Sequence, residues 1–419
     1  MKRLKYIDLF AGAGGLSEGF IRAGFEPVAH VEMKKDACDT IKTRTAYHWL
    51  KENGKQNLYY NYLKSDNRKK EDLWELVPNN LIESVINKEI SKETLPDLFS
   101  TIDKQLGDDS VDLIIGGPPC QAYSVVGRAR DPHGMKKDQR NFLYKHYVKF
   151  LERYKPKMFV FENVQGILSA KNGKHLKDIF KAVREAGYEL EMPQNKYKVL
   201  NSKDFGVLQN RKRVIIVGWK KELNLKYPEF EETNFDYKVL KDLFSDLKPL
   251  QQGEGTLNAV EYAKETTNYL EWAKIRNGLD VVTQHIARPN NENDLEIYRR
   301  AVDLWDNERK RLNYAELPKR LIKHSNTKSF TNRFQVVDGV GISHTVVAHI
   351  AMDGHYYIHP DINQNRSITV REAARIQSFP DDYFFEGSRT SAFKQIGNAV
   401  PPLMSEKIAE HIKDMMGDL

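Results

Sequence analysis

The chain is predicted to be an α/β protein: a mostly parallel sheet with helices on both faces, joined to a smaller second domain. Three observations predict this. Short, nearly continuous Val/Ile/Leu/Phe runs recur through the first half with helical stretches between them. The first run leads into a glycine-rich turn and then a helix, the arrangement that opens a ligand crevice at the carboxyl ends of parallel strands. After about residue 245 the alternation stops.

Taken in order, "LKYIDLF" (4–10) reads as a strand and "GLSEGFIRAG" (15–24) as a helix closed by Gly24. "EPVAHVE" (26–32) is a second strand. Residues 33–109 are more polar and read as helices and surface insertions between strands. "SVDLIIGG" (110–117), "KMFVFENV" (157–164) and "RVIIVGW" (213–219) repeat the buried-strand pattern. Residues 246–383, with the basic stretch "RRAVDLWDNERKRLNYAELPKRLIKH", form the smaller domain. The apolar, helical final stretch returns to the first, so 1–245 is completed by 384–419.

Composition bounds the function. Of 419 residues, 40% are hydrophobic and 29% charged, which fits a soluble globular protein. No apolar run reaches the roughly 18–20 residues of a membrane helix. "MKRLKYIDLF" passes into a strand with no signal-peptide core, so a cytoplasmic location is expected. Two cysteines, Cys38 and Cys120, exclude a disulfide framework and a four-cysteine zinc site, and no metal is expected. Cys38, in the helix-like "KKDACDTI", is expected in the core. A net charge of +7 permits a polyanionic partner without demanding one.

The glycine turn "FAGAGGLSEGF" places backbone N–H groups and a helix N-terminus beside the crevice, suited to an anionic or polar cofactor. Ser17 stands where the strict G-x-G-x-x-G fingerprint has its last glycine. Glu32 ends the next strand 20 residues after Gly12, where an acid can hold ribose hydroxyls. Loop and acid together favour a nucleoside-containing cofactor over a plain tight turn with a solvated acid, without separating a nicotinamide from an adenosyl compound. Two further strand ends carry Pro118–Pro119–Cys120 and Phe161–Glu162–Asn163–Val164. Cys120 is either a small apolar plug or a nucleophile aimed by the stiff prolines, and Glu162 either a helix cap or a catalytic acid. Arg211 and Arg213, at period two in "QNRKRVIIVG", form a surface ion pair or favour a thiolate nearby.

"DLFAGAGGLSEGF", "GGPPCQAYS", "FENV", "QNRKR", "RSITVREAARIQSFP" and "QIGNAVPP", in that order from residue 6 to about 403, resemble the DNA (cytosine-5) methyltransferases. The resemblance implies an S-adenosylmethionine-dependent, Rossmann-like methyltransferase fold with a target-recognition region before the fifth motif. It implies Cys120 as nucleophile toward C6 of a flipped cytosine and Glu162 on the base's N3 and exocyclic amine. Arg213 would contact the base carbonyl, and Arg211 would help position Cys120.

For S-adenosyl-L-methionine, which leaves as S-adenosyl-L-homocysteine, the resemblance points to Phe10 against the adenine and to Gly12, Gly14 and Gly15 near the methionine part. Glu32 would hold the ribose, with Pro119 and Asn398 completing the pocket. Where the family has an Asp before Ile to contact the adenine amine, this chain has Glu89. Gln121, Ser124, Arg128 and Arg130 are implied DNA contacts; His133 in the same stretch reads as a solvated side chain. "NTKSFTNRF" (326–334) and "GVGISHTVV" (339–347) are candidate base-reading loops, and Thr369 with Glu372 matches a capping box.

The expected function is a monomeric, stand-alone DNA methyltransferase of the bacterial restriction–modification type, acting on double-stranded DNA beside a cognate endonuclease. An RNA (tRNA) methyltransferase of the same family is the alternative, but about 140 residues between "RVIIVGW" and the fifth motif favour DNA. Intact Cys120, Glu162, Arg211 and Arg213 speak against a catalytically silent DNA-binding member.

Overall fold

A computed structural model describes residues 3–118, 143–191, 199–233 and 235–417. Each apolar run read as a strand is one. β1 is Lys5–Leu9, β2 Glu26–Glu32, β3 Val85–Asn87, β4 Leu113–Gly116, β5 Met158–Asn163, β6 Tyr188–Glu191, β7 Leu200–Asn201, β8 Gln209–Asn210 and β9 Lys212–Lys220. The main sheet has eight strands in the order β3-β2-β1-β4-β5-β9-β6, with β7 alongside β9. β1 to β5 pair in parallel. β9 runs antiparallel between β5 and β6, which the uniform apolar pattern of 213–219 did not distinguish from a parallel strand. The three-residue β3 lies inside the polar stretch 33–109, too short to show a period of two.

Both faces of the sheet are covered, which is why its strands are apolar throughout. Tyr6, Ile115, Val160, Ile215 and Val217 face one cluster, covered by α1 (Gly15–Arg22) and a C-terminal helix, Pro402–Gly417. Ile7, Leu9, Ile114, Phe159, Phe161 and Ile216 face the other, with helices Leu95–Leu106, Leu143–Tyr154 and Lys174–Glu185. The C-terminal helix contributes Leu403, Met404, Ile408 and Ile412 to the first of these clusters. It lies close against α1 because Gly19 has no side chain: a Cβ there would sit 2.3 Å from the Glu406 backbone nitrogen.

The second half contributes to two apolar clusters. A separate apolar cluster spans Leu295 to Ile358 and includes Tyr298, Tyr314 and Phe334. Phe244, Leu247, Tyr269, Val282, Ile368 and Ala373, although within or near 246–383, pack into the sheet's own cluster. Buried ion pairs tie this layer down. Arg375 bonds Asp381 (2.6 Å) and Asp246 (3.1 Å), and Arg366 grips Glu372 with two 2.7 Å bonds. The Thr369–Glu372 capping box is formed: Glu372 N donates to Thr369 Oγ1 (3.1 Å) and Thr369 N to Glu372 Oε2 (2.7 Å). Among the described residues no helix is long and apolar enough to cross a membrane.

Candidate active site

The carboxyl ends of β1, β2, β4 and β5 lie on one edge of the sheet, which places the glycine turn, Glu32, Gly117 and Glu162 there. After β1 the chain turns through Phe10 (φ 58°), Gly12 (φ 56°) and Gly14 (φ 76°). Glycine enters this left-handed region without a Cβ clash, whereas for Phe10 it costs roughly 1–3 kcal/mol. Such strain is kept where the surroundings hold it. Glu32 does part of that holding: its carboxylate accepts from Gly12 N (2.9 Å) and Lys34 N (2.8 Å). Burial raises its pKa, and the two backbone bonds pull the other way. Each carboxylate oxygen keeps a second lone pair for a ligand hydroxyl.

Gly15 begins α1 against the segment after Asn398; a Cβ on it would lie 2.5 Å from the Val400 carbonyl. Asn398 itself is exposed at the end of helix Arg389–Asn398. Glu89, also exposed, follows β3, whose Asn87 pairs in register with Glu32 and donates to its carbonyl (3.1 Å). Ser17 has a structural reason to replace glycine: its hydroxyl is buried, bonded to His30 Nε2 (2.7 Å) and Tyr6. Cys38 is buried and its Sγ faces the Glu32 carbonyl at 3.2 Å; burial pushes its thiol up to about 12, so it is no nucleophile.

Asp8 is marked in the sequence only by its place at a strand end. Both of its carboxylate oxygens are buried and, among the described residues, without a hydrogen-bond partner; burial followed by the Glu32 charge raises its pKa well above the carboxylate range. A buried acid beneath a glycine loop, without partners of its own, suits a ligand that brings cationic donors.

At the neighbouring strand ends, Arg213 Nε meets Glu162 Oε1 at 2.7 Å, both side chains nearly buried. The reversal of β9 makes this pair. Asn163 is opposite Val214 and Glu162 opposite Ile215, so the start of β9 meets the end of β5. A parallel β9 would have put Arg213 a strand's length away, about 20 Å at 3.3 Å per residue.

Gly117 leaves the room for Glu162, since a Cβ there would lie 2.5 Å from Glu162 Oε2. Asn163 Nδ2 donates to the Pro118 carbonyl (3.2 Å), and Asn163 Oδ1 accepts from Val164 N (2.9 Å). The "ENV" and "PPC" segments are therefore hydrogen-bonded to each other. Gly117 and Asn163 join the site although sequence reading passed over them; their only signal was adjacency to the motif residues.

Arg211 is fully buried and turned elsewhere, donating to the carbonyls of Val346 (2.7 Å) and Gly397 (3.2 Å). Burial, then the Arg213 charge, pulls its pKa well down. It fastens the start of β9 to the second half of the chain. Pro119, Cys120, Gln121, Ser124, Arg128 and Arg130 lie outside the described residues. Among the described residues no group of His, Cys, Asp and Glu is placed to hold a metal ion.

The C-5 cytosine-specific DNA methylase family matches residues 4–61 and 69–414. The chain belongs to that family. Among relatives of this C-5 cytosine methylase, the type II methyltransferase M.Bpa9945I of Bacillus paralicheniformis is 44% identical over 439 residues, covering 98% of both chains. The type II methyltransferase M1.HphI of Haemophilus parahaemolyticus is 31% identical over 414 residues, covering 98% of this chain and 87% of the relative. A crystal structure described as a prophage-encoded DNA modification methyltransferase of E. coli shares the fold at TM-score 0.63 and 22% identity, covering 99% of each chain.

The methylase is a DNA (cytosine-5) methyltransferase, and its family implies S-adenosylmethionine as methyl donor. The residues present fit that cofactor: among the described residues nothing donates to Asp8, the methionine part carries an ammonium donor, and Glu32 has capacity for a diol.

Proposed function

We propose that this methyltransferase modifies C5 of a cytosine turned out of duplex DNA, through a bond between Cys120 Sγ and C6, and serves a restriction–modification system. The supporting observation is the Glu162–Arg213 pair at the end of β5, bonded through Asn163 to the segment that leads into Cys120. That edge gathers an acid, a cation and the approach to a thiol. The stacked base does not expose C6 at attack geometry, so the nucleotide must leave the helix.

In this reading Glu162 accepts from the exocyclic amine and shares a proton with N3, drawing electrons out of the ring. Arg213 donates to the base carbonyl, where negative charge develops. The Cys120 thiolate adds to C6, and the C5–C6 π electrons move to C5. Bound S-adenosylmethionine supplies the methyl group that C5 takes. Loss of the C5 proton to a base or water restores the double bond and returns the electron pair to sulfur. Phe10, Gly12, Gly14, Gly15, Glu32, Pro119 and Asn398 are the residues that would hold the cofactor, with Glu89 toward the adenine. Gln121, Ser124, Arg128 and Arg130 would meet DNA, and Arg211 orders the segment around Arg213. The enzyme acts as a monomer in the bacterial cytoplasm, and an endonuclease cutting the same sequence is its counterpart.

Bisulfite sequencing of DNA from cells expressing the chain identifies the target cytosine. Duplexes with 5-fluorocytosine at that position should then trap a covalent complex, since fluorine does not leave as a proton does. Cys120→Ser should give neither complex nor turnover while still binding DNA. Normal methylation by Cys120→Ser would refute the mechanism.

A further inference from the structure

The strongest feature outside the site is a single aromatic ring held out in water. Phe330 is 65% exposed, has φ 56° and belongs to none of the buried apolar clusters. An exposed phenyl ring in the left-handed region gains nothing from burial and loses backbone comfort. The loop nevertheless holds that conformation firmly. Asn326 Oδ1 accepts from the backbone nitrogens of Lys328 and Ser329 (both 3.1 Å), and Asn326 Nδ2 donates to Ser329 Oγ (2.7 Å). From the other side, Arg333 Nε donates to the Phe330 carbonyl (3.1 Å) and Arg333 Nη2 to the Asn326 carbonyl (2.9 Å). The Arg333 guanidinium rests 4.2 Å from the centre of the Tyr314 ring, which is itself buried. So the ring is displayed on a braced support.

Two further observations say what it meets. Residues 319–333 carry five cations (Lys319, Arg320, Lys323, Lys328 and Arg333) and no acid. Arg320 is paired with Glu296 (2.6 and 2.7 Å) and Arg333 braces the loop, so Lys319, Lys323 and Lys328 are the charges that would draw a polyanion to this segment. The loop is also wired to the catalytic edge. Asn332 Nδ2 donates to the Tyr356 hydroxyl (3.0 Å), and His344 Nε2 bonds the Tyr356 carbonyl (2.7 Å). His344 pairs in turn with Asn210 of β8, immediately before Arg211.

We propose that Phe330 is a specificity-determining residue that places its ring against the face or edge of a base in the bound duplex, using the surrounding cations only to draw in the phosphates. The inference rests on the reading of this chain as a DNA methyltransferase. Apolar contact with a base edge, as with a thymine methyl, discriminates between bases at a single position, and the positive φ sets the direction of the Cα–Cβ bond before DNA arrives.

The test uses the full chain and a duplex bearing the cytosine site found by bisulfite sequencing. Phe330→Gly relieves the backbone and removes the ring. Its melting temperature should hold or rise, while its Kd for the duplex rises about tenfold and its preference over a scrambled duplex shrinks. The slope of log K against log salt should stay at the wild-type value, because no phosphate contact is lost. Phe330→Trp should recover most of the affinity.

Phe330→Gly binding within twofold of wild type with unchanged preference would overturn the proposal. So would a fall in melting temperature together with a Trp variant that does not recover, which would make the ring structural. A changed salt slope would assign the loss to phosphates and overturn base contact. If the wild-type chain transfers no methyl group to DNA, the functional reading fails first; if it does and Phe330→Gly is silent, only the role of Phe330 fails.

Discussion

Gly117→Ala isolates the placement of Glu162 from its chemistry. The added Cβ would lie 2.5 Å from Glu162 Oε2, against about 3.4 Å for ordinary contact, so something must move by about 0.9 Å. Normally a carboxylate at the end of a side chain swings away cheaply. This one is held 2.7 Å from Arg213 Nε, and Gly117 is followed by a proline whose carbonyl Asn163 fixes. Displacement therefore falls on the Glu162–Arg213 pair and, in the proposed reaction, on the base it would hold. A misplacement near 1 Å costs on the order of 100-fold in rate, equivalent to about 2.7 kcal/mol in the barrier.

Single-turnover methyl transfer from labelled cofactor to the target duplex measures this directly, with cofactor affinity and melting temperature as controls. Both controls should stay near wild type. In a Glu162→Gln background the same Gly117→Ala change should lose most of its effect, because the group it displaces is already disabled. A Gly117→Ala enzyme with wild-type rate, or a full 100-fold loss retained in the Glu162→Gln background, would refute the reasoning.

Asn163→Ala removes the bond to the Pro118 carbonyl and should lower kcat at least tenfold, with a stability loss of only about 1 kcal/mol, measurable by kinetics beside thermal denaturation. Gly19→Ala, in an exposed helix, would stabilise by up to about 1 kcal/mol. Here the Cβ meets the backbone of Glu406 at 2.3 Å, so the melting temperature should fall instead.

Acid sensitivity follows from buried histidines. Burial lowers the pKa of His30 and His344 to about 4 and of His359 to about 3. Their folded values lie below the unfolded 6.5, so the unfolded chain binds more protons between about pH 4 and 6.5. Stability is therefore full above pH 6.5 and falls below it, each histidine contributing at most about 1.4 kcal/mol per pH unit. A melting temperature that rises on acidification from pH 6.5 to 4 would contradict this.

Much of the fold was legible because buried parallel strands advertise themselves as unbroken apolar runs. The starts and ends of β2 and β5 fall within one residue of those runs. Of the site, the glycine turn, Glu32 and Glu162 were legible as polar or glycine residues at strand ends, where an apolar run alone gives no reason for them. Residues 33–109 were not: β3 is three residues long, and helix Lys35–Glu52 buries polar Asp39, Thr40, Thr43 and Arg44 along with its apolar positions, which blurs its pattern. Residues 239–282 and 367–385 look irregular in sequence yet share the sheet's apolar cluster, a contact that no local pattern announces.

By itself the sequence determined which residue types stand at which strand ends, and so the chemistry available: an acid after a buried strand, a thiol after two prolines, a glycine turn with a following acid. Strand direction was decided only in three dimensions. Periodicity is the same read forwards or backwards, so nothing in "RVIIVGW" says that β9 runs against β5. That reversal brings Arg213 to Glu162, while Arg211, two residues earlier, turns to the carbonyls of Val346 and Gly397. The unpartnered oxygens of Asp8 and the brace from Asn163 to Pro118 are likewise tertiary facts, set by which strand ends the sheet order makes neighbours.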